Sequence, residues 1–378
     1  MGMFSLTRHS KSKISNWWWT VDKVNFSITV FLIFIGVMLV LSASPSAAHR
    51  DRLVDDFAFV KKQAVFICAG MLLMIGTSMQ SMRTIRRLAV FGFLCAFIGV
   101  IMTYFVGDSA KGAQRWIKFA GFSLQPSEFV KPVFIVVTAW LLDANKRIED
   151  FPGMAISLVL FVFTAISVFG QPDLGMTVLI TGVWALQMIW AGISGWIIGA
   201  LFFSGIFLVI GSYFFLAHVR DRIDRFLATE NEIGSQIQKS MDAFANGNLL
   251  GTGPGEGMVK MSLPDVHTDF IFALAGEECG VWLTSIIVIC FAAIVIRAMM
   301  LSMKDNNLFQ MYAASGLAAS LGGQAIVNMF SALKLMPAKG MTLPFISYGG
   351  SSMLASCLAM GMLLALTRKN ASAEDKDN

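Results

Sequence analysis

The sequence has 378 residues, of which 56% are hydrophobic and 14% are charged, with a mean hydropathy of +0.68 and a formal net charge of +5. Because soluble domains carry about 25% charged residues, this composition excludes an ordinary soluble enzyme and indicates a protein that lies mostly in lipid. No basic tract is typical of nucleic-acid binding, and the scattered cysteines predict neither a disulfide framework nor a metal site.

The N-terminal part of the chain predicts a tail followed by three membrane spans. Residues 1–23 are polar and basic, show no signal-peptide pattern and end in three consecutive tryptophans, which suit the bilayer interface. Apolar runs then predict spans over residues 24–41, 58–77 and 88–106. Residues 107–127 are predicted to form a polar loop.

The fourth predicted span differs from the others because it carries charge. Glu128 and Lys131 lie three residues apart on one helix face, and Pro132 leaves a continuous apolar part of only residues 133–142. One interpretation is a self-neutralising pair that makes the helix tolerable in lipid. The other is the wall of a polar cavity in which the lysine meets a phosphate, and the expense of keeping charges in a bilayer favours it.

The remaining apolar runs complete a prediction of ten helices in one all-α integral membrane domain. They cover residues 154–169, 174–191, 195–216, 269–296, 308–332 and 346–366. An even count puts both termini on one side. When the long polar stretch 217–268 is discounted, fourteen Lys and Arg residues on that side face nine on the other, which favours cytoplasmic termini.

The predicted organisation is therefore a cytoplasmic tail (1–23), a polytopic domain (24–367) and a second cytoplasmic tail (368–378). Residues 217–268, between the seventh and eighth helices, form the large periplasmic loop of this prediction.

Asp269 is the central candidate residue. It stands in residues 263–280, LPDVHTDFIFALAGEECG, where the polar loop meets the eighth predicted span. At about 1.5 Å per residue that span is about 40 Å long and exceeds a hydrocarbon core of about 30 Å, so Asp269 lies above the core or faces water. Position alone favours a helix cap formed by Thr268 or Asp269. The alternative is a general base at the membrane surface.

Two further charged residues and one glycine-rich stretch each allow two interpretations. Arg115 is either an interfacial anchor or a fork that clamps a pyrophosphate. Asp173 either caps the sixth span or is a second carboxylate that pairs with Lys131 or holds a divalent ion. Residues 344–352, PFISYGGSS, either pack closely or present backbone N–H groups to an anion. The sequence contains no nucleotide-binding glycine motif, so energy must arrive with the substrate.

These stretches together resemble the SEDS family (shape, elongation, division and sporulation) of membrane-embedded peptidoglycan polymerases. The resemblance runs in order from about Trp19 to Lys369, and the tryptophan entry and the SAS of residues 42–44 are more similar to its division branch than to its elongation branch. The motifs that carry it are QRWI at 114–117, QPSE at 125–128 with Lys131, QPDLG at 171–175, Gln236, LP at 263–264, HTDF at 267–270, EE at 277–278 and residues 344–352.

The resemblance implies polymerisation of lipid II into β-1,4 glycan strands at the outer face of the cytoplasmic (inner) membrane during septal cell-wall synthesis. Asp269 matches the family's essential carboxylate, so its implied role is the general base of an inverting transfer with undecaprenyl pyrophosphate as the leaving group. Arg115 and Lys131 are the cations expected to meet that group. The implied substrate-binding residues are Arg115, Glu128, Lys131, Asp173, Gln236, His267, Ser347, Gly349 and Ser351. No metal ligands are predicted, and a divalent cation (Mg²⁺ or Mn²⁺) is left open.

The resemblance also implies protein partners, namely a class B penicillin-binding protein that supplies crosslinking and other membrane proteins of the division complex. Two hypotheses of other classes compete with the polymerase: a transporter that flips lipid II, and a non-catalytic scaffold. A flippase needs polar residues through the depth of several helices. The charges here gather toward the outer half of the predicted spans, which favours chemistry.

Overall fold

The computed structural model is predominantly helical. It describes residues 13–50, 54–110, 113–119, 122–196, 236–304, 306–336 and 340–369, together with single positions between 197 and 235. The described residues form eleven α-helices: α1 (Lys13–Thr20), α2 (Lys23–Arg50), α3 (Ala58–Ser78), α4 (Met82–Val106), α5 (Pro126–Arg147), α6 (Gly153–Phe169), α7 (Leu174–Trp190), α8 (Gln236–Gly247), α9 (Ile271–Ser302), α10 (Leu308–Ala332) and α11 (Gly350–Leu366).

The prediction of a helical membrane protein is confirmed. Four helices, α2, α3, α4 and α9, are long and apolar enough to cross a membrane, and α6, α7 and α11 are shorter apolar helices. Each predicted span within the described residues overlaps one of the helices. Most of the predicted span 195–216 lies outside the described residues, so the count of ten spans remains a prediction.

The predicted loop 107–127 is instead partly a small antiparallel sheet. Its strands are β1 (Asp108–Ala110), β2 (Ala113–Phe119) and β3 (Phe122–Leu124), in the order β1-β2-β3. The sequence signal was weak because these strands are short and β-propensity depends on the surface against which a strand packs. Here β2 contacts both α4 and α5. The sheet therefore fastens the connection between two helices that would otherwise be joined by a free loop.

Helices α5 and α10 lie in the interior of the bundle. Nearly every residue of α5 is buried from Pro126 to Ala144, and α10 is buried along most of its length. In contrast, α4 and α6 expose large apolar side chains such as Phe91 and Phe163. A helix that carries charge in a membrane protein must face other protein groups, and the central position of α5 satisfies this requirement for Glu128.

The contacts at the helix ends distinguish two ends of the bundle. At the terminal end, defined by α1 and Lys369, the backbone N–H of Lys369 donates to the carbonyl of Thr20 at 3.0 Å. An ion pair between Arg297 Nε and Asp22 Oδ1 (2.8 Å) ties α9 to the same end. Both ends of the described chain therefore lie together. The opposite end is called the loop end and contains the sheet, residues 248–270 and residues 340–349.

Helix α9 is interrupted at Gly280, which has φ 68° and ψ −161°. The break leaves backbone N–H and carbonyl groups without partners inside the helix, and segment 248–253 of the long loop hydrogen-bonds to them. The N–H of Val281 donates to the carbonyl of Asn248 at 3.2 Å, and the N–H of Thr252 donates to the carbonyl of Glu277 at 2.9 Å. The loop is thus hydrogen-bonded into the helix that follows Asp269.

Candidate active site at the loop end of the bundle

Asp269 lies immediately before α9. The N-cap residue of α9 is Phe270, whose side chain makes no capping hydrogen bond. The N-cap therefore lies one residue after Asp269 and two after Thr268, the two positions predicted for it. The Thr268 hydroxyl donates to the carbonyl of Asp265 at 3.1 Å, and the Asp269 N–H donates to the same carbonyl at 3.0 Å. These hydrogen bonds form a tight turn before the helix, and Asp269 lies half-buried at the loop end.

Three consecutive carbonyls hold the His267-Thr268-Asp269 segment in place. The His267 carbonyl accepts from the N–H of Tyr348 at 2.9 Å. The Thr268 carbonyl accepts from the hydroxyl of Ser347 at 2.6 Å, and the Asp269 carbonyl accepts from Nδ2 of Asn328 at 2.9 Å. The donors come from α10 and from the loop before α11. The backbone that carries the Asp269 carboxylate is therefore fixed from two sides.

Helix α10 contributes a second polar side chain one turn before Asn328. Gln324 is 2% exposed, and its Nε2 donates to the Thr342 carbonyl at 2.9 Å. Its Oε1 accepts from Nζ of Lys131. Sequence reasoning missed Gln324, Asn328 and Thr342. The available signal was the spacing of two amides, Gln324 and Asn328, four residues apart in a largely apolar helix, which puts both on one face.

Glu128 and Lys131 form the predicted pair. Lys131 Nζ lies 2.7 Å from Glu128 Oε2, and the two side chains are 5% and 8% exposed. The self-neutralising interpretation is thus confirmed. The ammonium group also contacts Gln324, so its surroundings are polar as the cavity interpretation requires.

Arg115 and Asp173 contact each other at the turn between α6 and α7. Arg115 Nη1 lies 3.2 Å from Asp173 Oδ2, its Nε donates to the Gln171 carbonyl at 2.8 Å, and its Nη2 donates to the Pro172 carbonyl. Asp173 also accepts from the N–H of Met176 at 3.1 Å and is the N-cap of α7. The capping interpretation of Asp173 is therefore confirmed. The structure pairs it with Arg115, not with Lys131.

The small residues before and within α11 connect several segments at the loop end of the bundle. Ser347 accepts from the N–H of Leu343 at 2.8 Å while it donates to Thr268. Ser351 accepts from the N–H of Gln125 at 2.9 Å. Gly349 is the N-cap residue of α11, in an extended conformation with φ 168°. These contacts support the packing interpretation of residues 344–352.

His267 lies in a cluster of aromatic rings. Its ring centroid is 4.5 Å from that of Phe59 and 5.4 Å from that of Tyr348. The cluster forms an apolar wall beside the segment that carries Asp269.

Gln236 was predicted to bind substrate, and a divalent cation was left open. Gln236 is exposed at the first position of α8 and takes part in none of the contacts described above. Within the described ranges, no group of three or more His, Cys, Asp or Glu side chains is placed to hold a metal ion. We therefore assign no residue to a divalent cation.

Comparisons with known proteins agree over nearly the whole chain. The sequence model FTSW_RODA_SPOVE, described as cell cycle protein, matches residues 23–372. A probable peptidoglycan glycosyltransferase FtsW of Caulobacter vibrioides is 42% identical over 372 residues, which cover 98% of this chain and 95% of the relative. Another from Geobacter metallireducens is 36% identical over 360 residues, which cover 92% and 95%.

Two solved structures share the fold. One, from work on structural coordination of polymerization and crosslinking by a peptidoglycan synthase complex, has a TM-score of 0.78 at 24% identity and covers 93% of this chain and 98% of its own. The other, the rod shape determining protein RodA of Thermus thermophilus, has a TM-score of 0.66 at 23% identity and covers 93% and 97%. At these identities the similarity establishes the fold.

Proposed function

Because this chain belongs to the FtsW, RodA and SpoVE family of cell cycle proteins and is a peptidoglycan glycosyltransferase, we propose that Asp269 is its general base and lipid II its substrate. Asp269 takes the proton from the 4-hydroxyl of the acceptor GlcNAc. That oxygen attacks the anomeric carbon of the undecaprenyl-linked donor and forms a β-1,4 bond with inversion. The bond from that carbon to the phosphate oxygen breaks, and undecaprenyl pyrophosphate leaves.

The triple anchorage of residues 267–269 carries this proposal. A general base must be held within hydrogen-bond reach of the proton that it removes, and misplacement by about 1 Å can cost about 100-fold in rate. Three donors from two other segments fix the carbonyls of His267, Thr268 and Asp269. None of these three bonds uses the carboxylate; together they fix the backbone that carries the Asp269 side chain.

Lys131 is the first candidate for the charge that develops on the leaving pyrophosphate. An ammonium group has three donors, and Lys131 directs two of them at Glu128 and Gln324. Gln324 connects it through α10 to the helix turn that holds Asp269. Arg115 is the second candidate, although its guanidinium already contacts Asp173 and two carbonyls. These contacts fix the position of the guanidinium. We propose that its charge acts on a phosphate from the side of the site on which β2 lies.

The proposed orientation follows from the two ends of the bundle. We place the loop end, including residues 217–268, in the periplasm and the tails 1–23 and 368–378 in the cytoplasm, with residues 24–367 as the domain in the inner membrane. The proximity of Thr20 and Lys369 supports tails on one side. We also propose that a class B penicillin-binding protein of the division complex binds this chain and crosslinks its product.

The test uses Asp269→Asn in purified protein with its partner and labelled lipid II in detergent. Removal of a general base is expected to lower the polymerisation rate by at least about 100-fold. Glu256→Gln is the matched control, because it makes the same change from carboxylate to amide at an exposed position of the loop before α9. Its polymerisation rate should stay close to that of the parent.

Glycan chains made by Asp269→Asn at the parental rate would refute the assignment of the base. Absence of glycan synthesis by the parent protein, together with lipid II translocation in proteoliposomes, would instead support the flippase. A scaffold would bind its partner and show neither activity.

A further inference from the structure

We propose that Asn328 is a positioning residue that holds Asp269 in a fixed relation to Lys131, and that α10 is the element through which it does so. This inference rests on the proposed function of Asp269. It adds a residue that neither touches the reacting atoms nor appears among the motifs of the sequence.

Asn328 joins two segments that are far apart in the chain. Its side chain is buried, with 1% exposure, and Nδ2 donates both to the Asp269 carbonyl at 2.9 Å and to the Met341 carbonyl at 2.6 Å. An amide nitrogen has two hydrogens, so these two bonds use its full donor capacity. The turn before α9 and the loop before α11 are therefore held to one atom of α10.

Gln324 repeats this arrangement one helical turn away. Its Nε2 donates to the Thr342 carbonyl at 2.9 Å, and its Oε1 accepts from Lys131. The two amides thus bind adjacent carbonyls of the same loop, at Met341 and Thr342, and each also binds one residue of the proposed chemistry. Four helical residues rise about 6 Å, and a buried helix does not stretch easily. The backbone of α10 consequently sets the spacing between the anchored turn and the ammonium group.

A purely structural role predicts a different pattern, and the structure contains an example of it. Gln187 of α7 is fully buried and donates through Nε2 to the carbonyls of Ile135 and Tyr312, at 2.9 and 3.2 Å. It therefore makes the same two-carbonyl bridge as Asn328. Its partners belong to the interiors of α5 and α10 and include none of the proposed site residues. Loss of Gln187 should affect stability alone, whereas loss of Asn328 should also displace Asp269.

The experiment compares Asn328→Ala with Gln187→Ala in the full-length protein with its partner. The measurements are kcat and KM for lipid II and the melting temperature in the same detergent. We expect Asn328→Ala to lower kcat about 10- to 100-fold with KM within about twofold of the parent, because the base is displaced while substrate binding is kept. Gln187→Ala should lower the melting temperature at least as much and leave kcat within about twofold.

A near-isosteric pair covers the case in which the alanine variants fail to fold. Asn328→Asp and Gln187→Glu keep the side-chain size and replace donors by an acid, so the same difference in kcat is expected between them. Equal kcat for the Asn328 and Gln187 variants at equal stability would overturn the positioning role. If Asp269→Asn is inactive while Asn328→Ala keeps kcat, only this inference fails. If Asp269→Asn is active, the proposed function fails first.

Discussion

Several charged side chains buried in the described bundle form ion pairs. Besides Glu128–Lys131 and Arg115–Asp173, the structure contains a buried pair at the base of the long loop, between Lys260 Nζ and Glu278 Oε1 at 2.8 Å. The Ser42 hydroxyl donates to the same carboxylate oxygen, and Lys260 Nζ lies 2.9 Å from that hydroxyl. Desolvation of one charge is thus offset by a partner and by hydrogen bonds, which is the condition for keeping ions in an apolar interior.

The Lys260–Glu278 pair provides a test of this view. Lys260→Met leaves Glu278 buried without its cation, and the free energy of unfolding should fall by about 3–5 kcal/mol. Denaturation of the purified protein in mixed micelles measures the change. The double variant Lys260→Met/Glu278→Leu removes both charges and should recover most of the loss. A single variant as stable as the parent would show that the pair contributes nothing to stability.

The same pairing explains which residue predictions were accurate. A pair at positions i and i+3, such as Glu128 and Lys131, can be predicted because helix geometry alone brings the two side chains together. Arg115 and Asp173 lie on different elements, and no spacing along the chain indicates that Asp173 pairs with Arg115 and not with Lys131. The contacts of Asn328 could not be predicted, because its partners, Asp269 and Met341, belong to segments that come together only in the folded chain.

The break in α9 is the least predictable feature among the helices. The sequence predicts one continuous span over residues 269–296, and the structure interrupts it at Gly280 with a left-handed φ of 68°. Segment 248–253 occupies the break. Glu277 extends this attachment, since its Oε1 accepts from the N–H groups of Met258 and Val259, each at 2.8 Å. A glycine in an apolar run does not reveal that another segment will supply hydrogen bonds at that position.

Gly280→Ala should therefore weaken the attachment of the loop. A β-carbon at this position would meet the Leu249 carbonyl and lie 2.6 Å from the Gly251 nitrogen, and the positive φ is itself strained for alanine. We expect a loss of about 1–3 kcal/mol in the free energy of unfolding and faster proteolysis within residues 248–263.

Gly76→Ala is the control for that substitution. Gly76 lies in α3, and no atom is within 4 Å of its added β-carbon. Because glycine in a helix interior is about 0.5–1 kcal/mol less favourable than alanine, this variant should be as stable as the parent or more stable. Equal effects of the two substitutions would contradict the role assigned to the break.

The bundle as a whole has buried polar contacts inside and apolar side chains outside. The central helices α5 and α10 carry Lys131, Gln324 and Asn328, while large apolar side chains such as Phe105 and Ile166 are exposed on outer helices. Lipid takes the place of a hydrophobic core partner for these outer faces, so association of the helices relies on packing and on the internal hydrogen bonds.

The proposed orientation in the membrane predicts the accessibility of the two ends. In a variant whose five cysteines are replaced, Glu256→Cys at the loop end and Glu149→Cys between α5 and α6 introduce exposed thiols on opposite sides. A membrane-impermeant maleimide should label Glu256→Cys in intact spheroplasts and Glu149→Cys only after permeabilisation. The reverse pattern would place the active site in the cytoplasm.

The sequence by itself determined the class of the protein, the helical segments within the described residues and Asp269 as the central candidate. Hydrophobic runs and short-range spacing depend only on neighbours along the chain, so they can be read without the fold. The tertiary structure decided that the backbone of residues 267–269 is anchored by two other segments, that Asp173 pairs with Arg115, and that Asn328 and Gln324 contact Asp269 and Lys131. Hydrogen bonds between distant segments depend on how the helices and loops pack against each other. That packing cannot be inferred from the order of residues in a single sequence.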